Sequence, residues 1–187
     1  YQYEYMRDVL KLLTWQQRNT DKPTRWVLKC PQHLEQLTVL QKVFPDATVA
    51  ITHRDPVAVI QSAITIMAYG QRLSRKKVMT EQLAAYWIDR VDHLLRACMQ
   101  DRDCLSAEKS IDIKFKDLIQ NDVASVEKIY QRAGLPMTAL AEQQLSEFVE
   151  QNKENYGRVI YDLEGQFGVN PVTLRQQFDF YARRFLV

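Results

Sequence analysis

Apolar and polar positions along the chain change period several times, and each change marks an element. Tyr1, Tyr5, Val9, Leu12 and Leu13 recur at helical spacing and predict a helix already under way at the first residue, running to about Arg18. The polar turn NTDKPT ends it. Residues 25–29 (RWVLK) form a short apolar run closed by a cation, the pattern of a buried strand. After the break CPQ, residues 33–44 place Leu34, Leu37, Leu40 and Phe44 on one helical stripe, and FPDA stops it. Residues 48–53 are β-branched and almost continuously apolar, as in a strand covered on both faces. Asp55-Pro56 then opens a helix to about Tyr69, with Asp at the N-cap and Pro at the first helical position.

The segment GQRLSRKK is a basic loop on this reading, and residues 80–100 form the next helix, with Thr80 as its cap. Residues 110–115 (SIDIKF) alternate like a strand. Residues 121–133 form a helix that Gly134 stops, with Pro136 just beyond. A further helix covers 138–151, a long tail segment follows, and a last helix spans 172–185. Strands alternating with helices predict an α/β fold: three layers, with a small parallel sheet (25–29, 48–53, 110–115) flanked by many helices.

Three strands are few for such a sheet. At least one more is expected, from upstream or from another chain, and a free sheet edge favours a homo-oligomer. The absence of an initiator Met and of a capping residue before the first helix gives the same expectation, a single domain cut or processed at its N-terminus.

Composition narrows the class. With 187 residues and 46% hydrophobic content, the chain is long enough for one domain with a real core. Lys and Arg total 25 against 23 Asp and Glu, a net charge of +2. That balance excludes a strong global polycation, and with it nucleic acid as the expected partner, while leaving a local anion site open. No run of 18 apolar residues exists, so no membrane span is expected. Cys30, Cys98 and Cys104 are odd in number and lack CxxC spacing, which fits a reducing compartment, the cytoplasm, better than a disulfide framework.

Ligands of parallel sheets bind beyond the carboxyl ends of the strands. Lys29, Arg54 and Phe115 fall there, and helix N-termini follow the first two. The Arg54 guanidinium can hold a phosphate through paired hydrogen bonds, and Ser62, two turns into the next helix, can add a hydroxyl. The competing reading is an ion pair from Arg54 to Asp55 or Glu35, with Ser62 a small packing residue. In LKCPQHL an ammonium and an imidazole lie four residues apart across a proline turn. Lys29 would stabilise charge on a transferring group and His33 would take a proton from an attacking hydroxyl; otherwise both are surface residues. His53 reads as a structural strand-end residue. His93, near Asp89 and Asp92, lacks a convergent second ligand, so no metal is expected. Only five glycines occur, and there is no G-x-x-x-x-G-K-[ST] loop.

The stretch WVLKCPQHLEQLTVLQKVFPDATVAITHRDPVAVIQSAITI resembles the core of the nucleotide-dependent sulfotransferase family, in particular a largely bacterial branch with an LKSPxHL…FPDA…HRDP pattern. IDIKFKDLIQNDVASVEKIYQRAGLP is similar to the strand and helix that follow in that branch, and NKENYGRVIYDLEGQFGV to its nucleotide-contacting C-terminal segment. The resemblance implies a P-loop-like fold and 3′-phosphoadenosine 5′-phosphosulfate as sulfuryl donor. It also implies metal-free in-line transfer to a hydroxyl or amine of a small-molecule, glycan or lipid acceptor.

On that resemblance Arg54 and Ser62 hold the 3′-phosphate, Lys29 lies by the sulfuryl group, and His33 is the catalytic base. Phe115 lies near the adenine, and Gly157 and Arg158 close over the nucleotide. Departures are Cys30 for the usual Ser, Phe115 for the usual Tyr, and no PRSGTT-type 5′-phosphosulfate loop within these residues. The last implies that this chain alone is inactive. Two alternatives stand beside the enzyme: a non-catalytic remnant or interaction module that keeps the fold, and a P-loop-like small-molecule kinase.

Overall fold

The computed structural model describes residues 1–19, 25–152 and 161–187. Helix α1 (Gln2–Gln16) leads, by way of an extended segment and a 3₁₀ turn (Pro31–Glu35), to α2 (Leu37–Val43). Strand β1 (Val49–His53) follows, then the long pair α3 (Pro56–Ser74) and α4 (Thr80–Asp101). A second 3₁₀ turn (Arg102–Cys104) precedes β2 (Ser110–Lys114), α5 (Phe115–Gln120), α6 (Asp122–Arg132) and α7 (Ala139–Asn152). The chain closes with α8 (Leu163–Phe167), α9 (Pro171–Gln177) and α10 (Asp179–Phe185).

The two strands pair in parallel, Val49 opposite Ser110 through His53 opposite Lys114. Parallel neighbours need a long crossover, and α3 and α4 supply it. The fold is α/β, as expected, with a sheet of two strands among the described residues.

The third predicted strand, 25–29, is a correction. Those residues carry no strand pairing and are solvent-exposed, with Val27 at 92%. A strand exists only with a hydrogen-bonded neighbour, and no described segment lies alongside to provide one. The segment is held at its start instead: Arg25 donates to the Ala133 carbonyl (3.2 Å) and the Trp26 indole N–H to Thr14 Oγ1 (2.9 Å). The expectation that β1 is covered on both faces also fails. Ile51 and His53 are buried, whereas Ala50 and Thr52, which alternate with them, are exposed.

The main core lies between α3, α4 and the C-terminal helices. Ile60 and Ile64 of α3 are fully buried, packed in one cluster with Leu95 and Cys98 of α4, Phe167 of α8, and Phe178 and Tyr181. A smaller cluster of Leu37, Ile51 and Leu105 sits beside β1. By contrast α1 has no buried residue, and Tyr1, Tyr5 and Leu12 of its predicted stripe face outward.

Caps explain several boundaries. The Asp55 carboxylate accepts from Val57 N–H at 3.0 Å with Pro56 as first helical residue, the signature expected from sequence. Gly134 has φ +66°, and Leu135 N–H bonds back to the Tyr130 carbonyl, which ends α6. Other boundaries differ. Helix α3 continues through Gly70 to Ser74, so five of the eight residues of the expected basic loop are helical. Thr80 does not cap α4; Met79 holds the N-cap position without a side-chain bond. The expected final helix is two, broken at the buried Phe178. No helix among the described residues is long and apolar enough to cross a membrane.

Candidate functional site

The parallel register places Arg54 and Phe115 side by side, each the first residue beyond its strand. The Arg54 guanidinium carbon lies 4.6 Å from the centroid of the Phe115 ring, a cation–π contact worth about 0.5–2 kcal/mol. Its expected carboxylate partners are engaged elsewhere. Asp55 accepts from Arg175 at 2.8 Å besides capping α3, and Glu35 accepts from Arg90 of α4. Among the described residues no carboxylate pairs with Arg54, so the ion-pair reading is set aside. The half-buried Ser62 makes no hydrogen bond among the described residues, whereas Thr65 one turn later donates to the Gln61 carbonyl at 2.7 Å. A guanidinium on an aromatic ring and a serine hydroxyl, both with unspent donors, can hold an anion.

Immediately behind Arg54 lies a polar network whose members His53, Arg102 and Tyr181 are buried and whose carboxylate, Asp112, is partly open to solvent. His53 is 1% exposed; its Nε2 lies 2.7 Å from Asp112 Oδ1 and its Nδ1 2.6 Å from the Tyr181 hydroxyl. Arg102 donates to both Asp112 oxygens, and the His53 ring stacks on Phe185 at 3.8 Å. Burial pushes the Asp112 carboxyl up, but hydrogen bonds from His53 and Arg102, with the Arg102 charge, outweigh it and hold the group at about 2. A carboxylate accepts, so Nε2 carries the proton and Nδ1 accepts from Tyr181. Burial keeps that phenol protonated, which suits the role. Every member is satisfied, and the network ties β1, β2, the second 3₁₀ turn and α10 together one residue before Arg54. Sequence reasoning took His53 as structural and missed Asp112, Arg102 and Tyr181; an Asp inside the apolar strand SIDIK is the one signal that marked the network.

The second cluster is built on the first 3₁₀ turn. Pro31 starts it, and the ion pair of Glu35 with Arg90 fastens it to α4. His33 is half-buried, and its Nδ1 lies 2.8 Å from the Tyr3 hydroxyl of α1. Burial lowers the imidazole below its ordinary value, so the ring is neutral at physiological pH and one nitrogen keeps a lone pair. Lys29 is exposed at the end of the extended segment and has no ion-pair partner among the described residues. Cys30, beside it, is half-buried and directs its thiol to Gln32 Oε1 at 3.6 Å.

The fold thus joins Arg54 to Phe115 and His33 to Tyr3. No hydrogen bond, ion pair or ring contact links the two pairs among the described residues. Gly157 and Arg158 lie outside the described residues. A cavity of about 60 Å³ lined by Leu40, Phe44, Val49 and Leu105 lies at the opposite, amino end of β1. No group of three or more His, Cys, Asp or Glu able to hold a metal occurs among the described residues.

Comparison with known proteins completes the picture. Residues 2–139 match the model of the sulfotransferase family. Sulfotransferase STF9 from Mycobacterium avium superposes with a TM-score of 0.81 at 24% identity, over 98% of this chain and 46% of that one. Sulfotransferase STF1 from Mycobacterium tuberculosis H37Rv superposes with a TM-score of 0.69 at 25% identity, over 82% of this chain and 39% of that one. The chain therefore spans less than half the length of these solved structures. Among curated proteins none matches. The matched segment includes α1, the turn carrying His33, β1 with Arg54, and β2 with Phe115, and over it the chain belongs to the sulfotransferase family.

Proposed function

We propose that this chain carries the 3′-phosphate side of a sulfotransferase that uses 3′-phosphoadenosine 5′-phosphosulfate and an acceptor hydroxyl or amine. One observation carries the reading: the Arg54 guanidinium rests on Phe115 with no carboxylate partner among the described residues, because Asp55 and Glu35 are each held by another arginine. A cation left unpaired at the carboxyl end of a parallel strand suits a phosphate. Ser62, on the helix that begins at Pro56, adds a second unspent donor.

The residues present fit one end of the donor. Arg54 and Ser62 would hold the 3′-phosphate, and Phe115 supports Arg54 from below. The donor supplies an activated sulfuryl group, whose bond to the 5′-phosphate oxygen breaks as the acceptor oxygen attaches to sulfur. Lys29 would place positive charge beside the leaving phosphate oxygen, which gains negative charge as its bond to sulfur breaks. His33 takes the acceptor's proton on Nε2 as the new bond forms. Gly157 and Arg158 are assigned to the nucleotide by resemblance alone.

Calorimetric titration with adenosine 3′,5′-bisphosphate tests the assignment. Arg54→Ala is expected to weaken binding by about 2–5 kcal/mol, the cost of removing one partner from a desolvated charge pair. Equal affinity in parent and variant would remove Arg54 from the phosphate site.

A further inference from the structure

Tyr3 is two residues into the chain, on a helix with no buried residue, and its hydroxyl reaches 30 residues ahead to the His33 imidazole. We infer that Tyr3 is the positioning residue of His33: its oxygen accepts a hydrogen bond from Nδ1–H and so leaves the Nε2 lone pair for the acceptor. The inference rests on the reading of His33 as the proton-accepting group and adds the residue that makes that role possible.

A neutral imidazole has a single N–H. If Tyr3 donates to Nδ1, the ring proton sits on Nε2, and His33 can only donate to whatever lies beyond. If Nδ1–H donates to Tyr3, Nε2 keeps its lone pair and can remove a proton. When Nε2 takes the acceptor's proton, the acceptor O–H bond breaks and an Nε2–H bond forms. The ring becomes a cation, and Nδ1–H stays bonded to the Tyr3 oxygen. Only the second arrangement serves both states without a partner change.

Three features support it. The phenol is held protonated by burial and by nearby Cys30, so it does not become a phenolate that would lock the ring as a cation. Tyr3 is half-buried rather than sealed, so its own hydroxyl proton can turn to water. The rings are tilted by 49° at 5.7 Å, so the contact is an edge hydrogen bond, not a stack that packing alone explains. The groups flanking the imidazole in sequence are Lys29, Cys30 and Glu35, and Glu35 is already committed to Arg90.

The test uses this chain with ¹⁵N-labelled histidine. Long-range proton–nitrogen spectra report which ring nitrogen is protonated, and His33→Gln assigns the signal among the three histidines. In the parent, Nδ1 is expected to be protonated and Nε2 bare. In Tyr3→Phe the ring reverts toward the Nε2–H form, and its pKa falls further because the acceptor that stabilised the cation is gone. Unchanged His53 signals, deep in the core, show that the variant is folded. A parent ring protonated on Nε2, a pKa that rises in Tyr3→Phe, or one tautomer in both proteins would overturn the proposal. Because this readout needs no nucleotide, its failure with an intact Arg54 effect on bisphosphate binding rejects Tyr3 alone. Loss of the Arg54 effect instead rejects the site.

Discussion

The two sides of this molecule are built differently. On one side, α3, α4 and the C-terminal helices enclose a continuous apolar core, closed off by the His53–Asp112–Arg102 network. On the other, α1 and residues 25–29 lie against the body through a few polar contacts, while Trp15, Val27 and Leu28 face solvent. Arg54 stands on the first side and His33 on the second. Arg54, the proposed anion-holding group, is therefore backed by the buried core and its polar network, whereas His33, the proposed proton acceptor, is placed by a short turn, one ion pair and one tyrosine hydroxyl.

If that contrast is right, substitutions should divide sharply by side. Ile60→Ala, at a fully buried position of α3, should cost about 2–5 kcal/mol in urea unfolding. A loss below 1 kcal/mol would mean the core is looser than its burial indicates. Asp112→Asn should cost about 1–3 kcal/mol, less than a sealed ion pair because the carboxylate is 40% exposed. It should also flatten the acid limb of stability. A carboxyl held at about 2 against an ordinary 3.8 contributes fully above pH 3.8 and loses that contribution as pH falls toward 2. An identical acid limb in the Asn variant would remove Asp112 as its source.

Smaller effects sharpen the comparison at the site itself. Ser62→Ala should leave the melting temperature unchanged and weaken adenosine 3′,5′-bisphosphate by about 0.5–1.5 kcal/mol, the worth of one hydrogen bond. A drop in melting temperature with unaltered affinity would make Ser62 a packing residue. Val27→Ala, 92% exposed, should shift stability by no more than about 0.5 kcal/mol. A cost of several kcal/mol would show that the extended segment is paired and covered in solution.

Much of this was legible before any coordinates. Asp55-Pro56 announces the start of α3, and Gly134 the end of α6, because caps and turns are local chemistry settled by a few neighbouring residues. Arg54 was visible for the same reason, as a cation stranded between a strand and a cap. Residues 25–29 were misread because an apolar run states only a preference for burial and cannot state whether a neighbouring strand lies within reach. Tyr3 was invisible as a partner of His33, since nothing in the first helix's period distinguishes a tyrosine that packs from one that reaches across 30 residues.

The sequence by itself determined the family pattern, the α/β order of elements, the capped entry to α3, and the cation that follows β1. All of these depend on interactions within about one turn of chain. Only the tertiary structure decided that Asp55 and Glu35 belong to other arginines, that Phe115 lies under Arg54, and that His53 is clamped between Asp112 and Tyr181. Those partnerships join residues tens of positions apart, and a charge chooses among distant partners by geometry that no local pattern encodes.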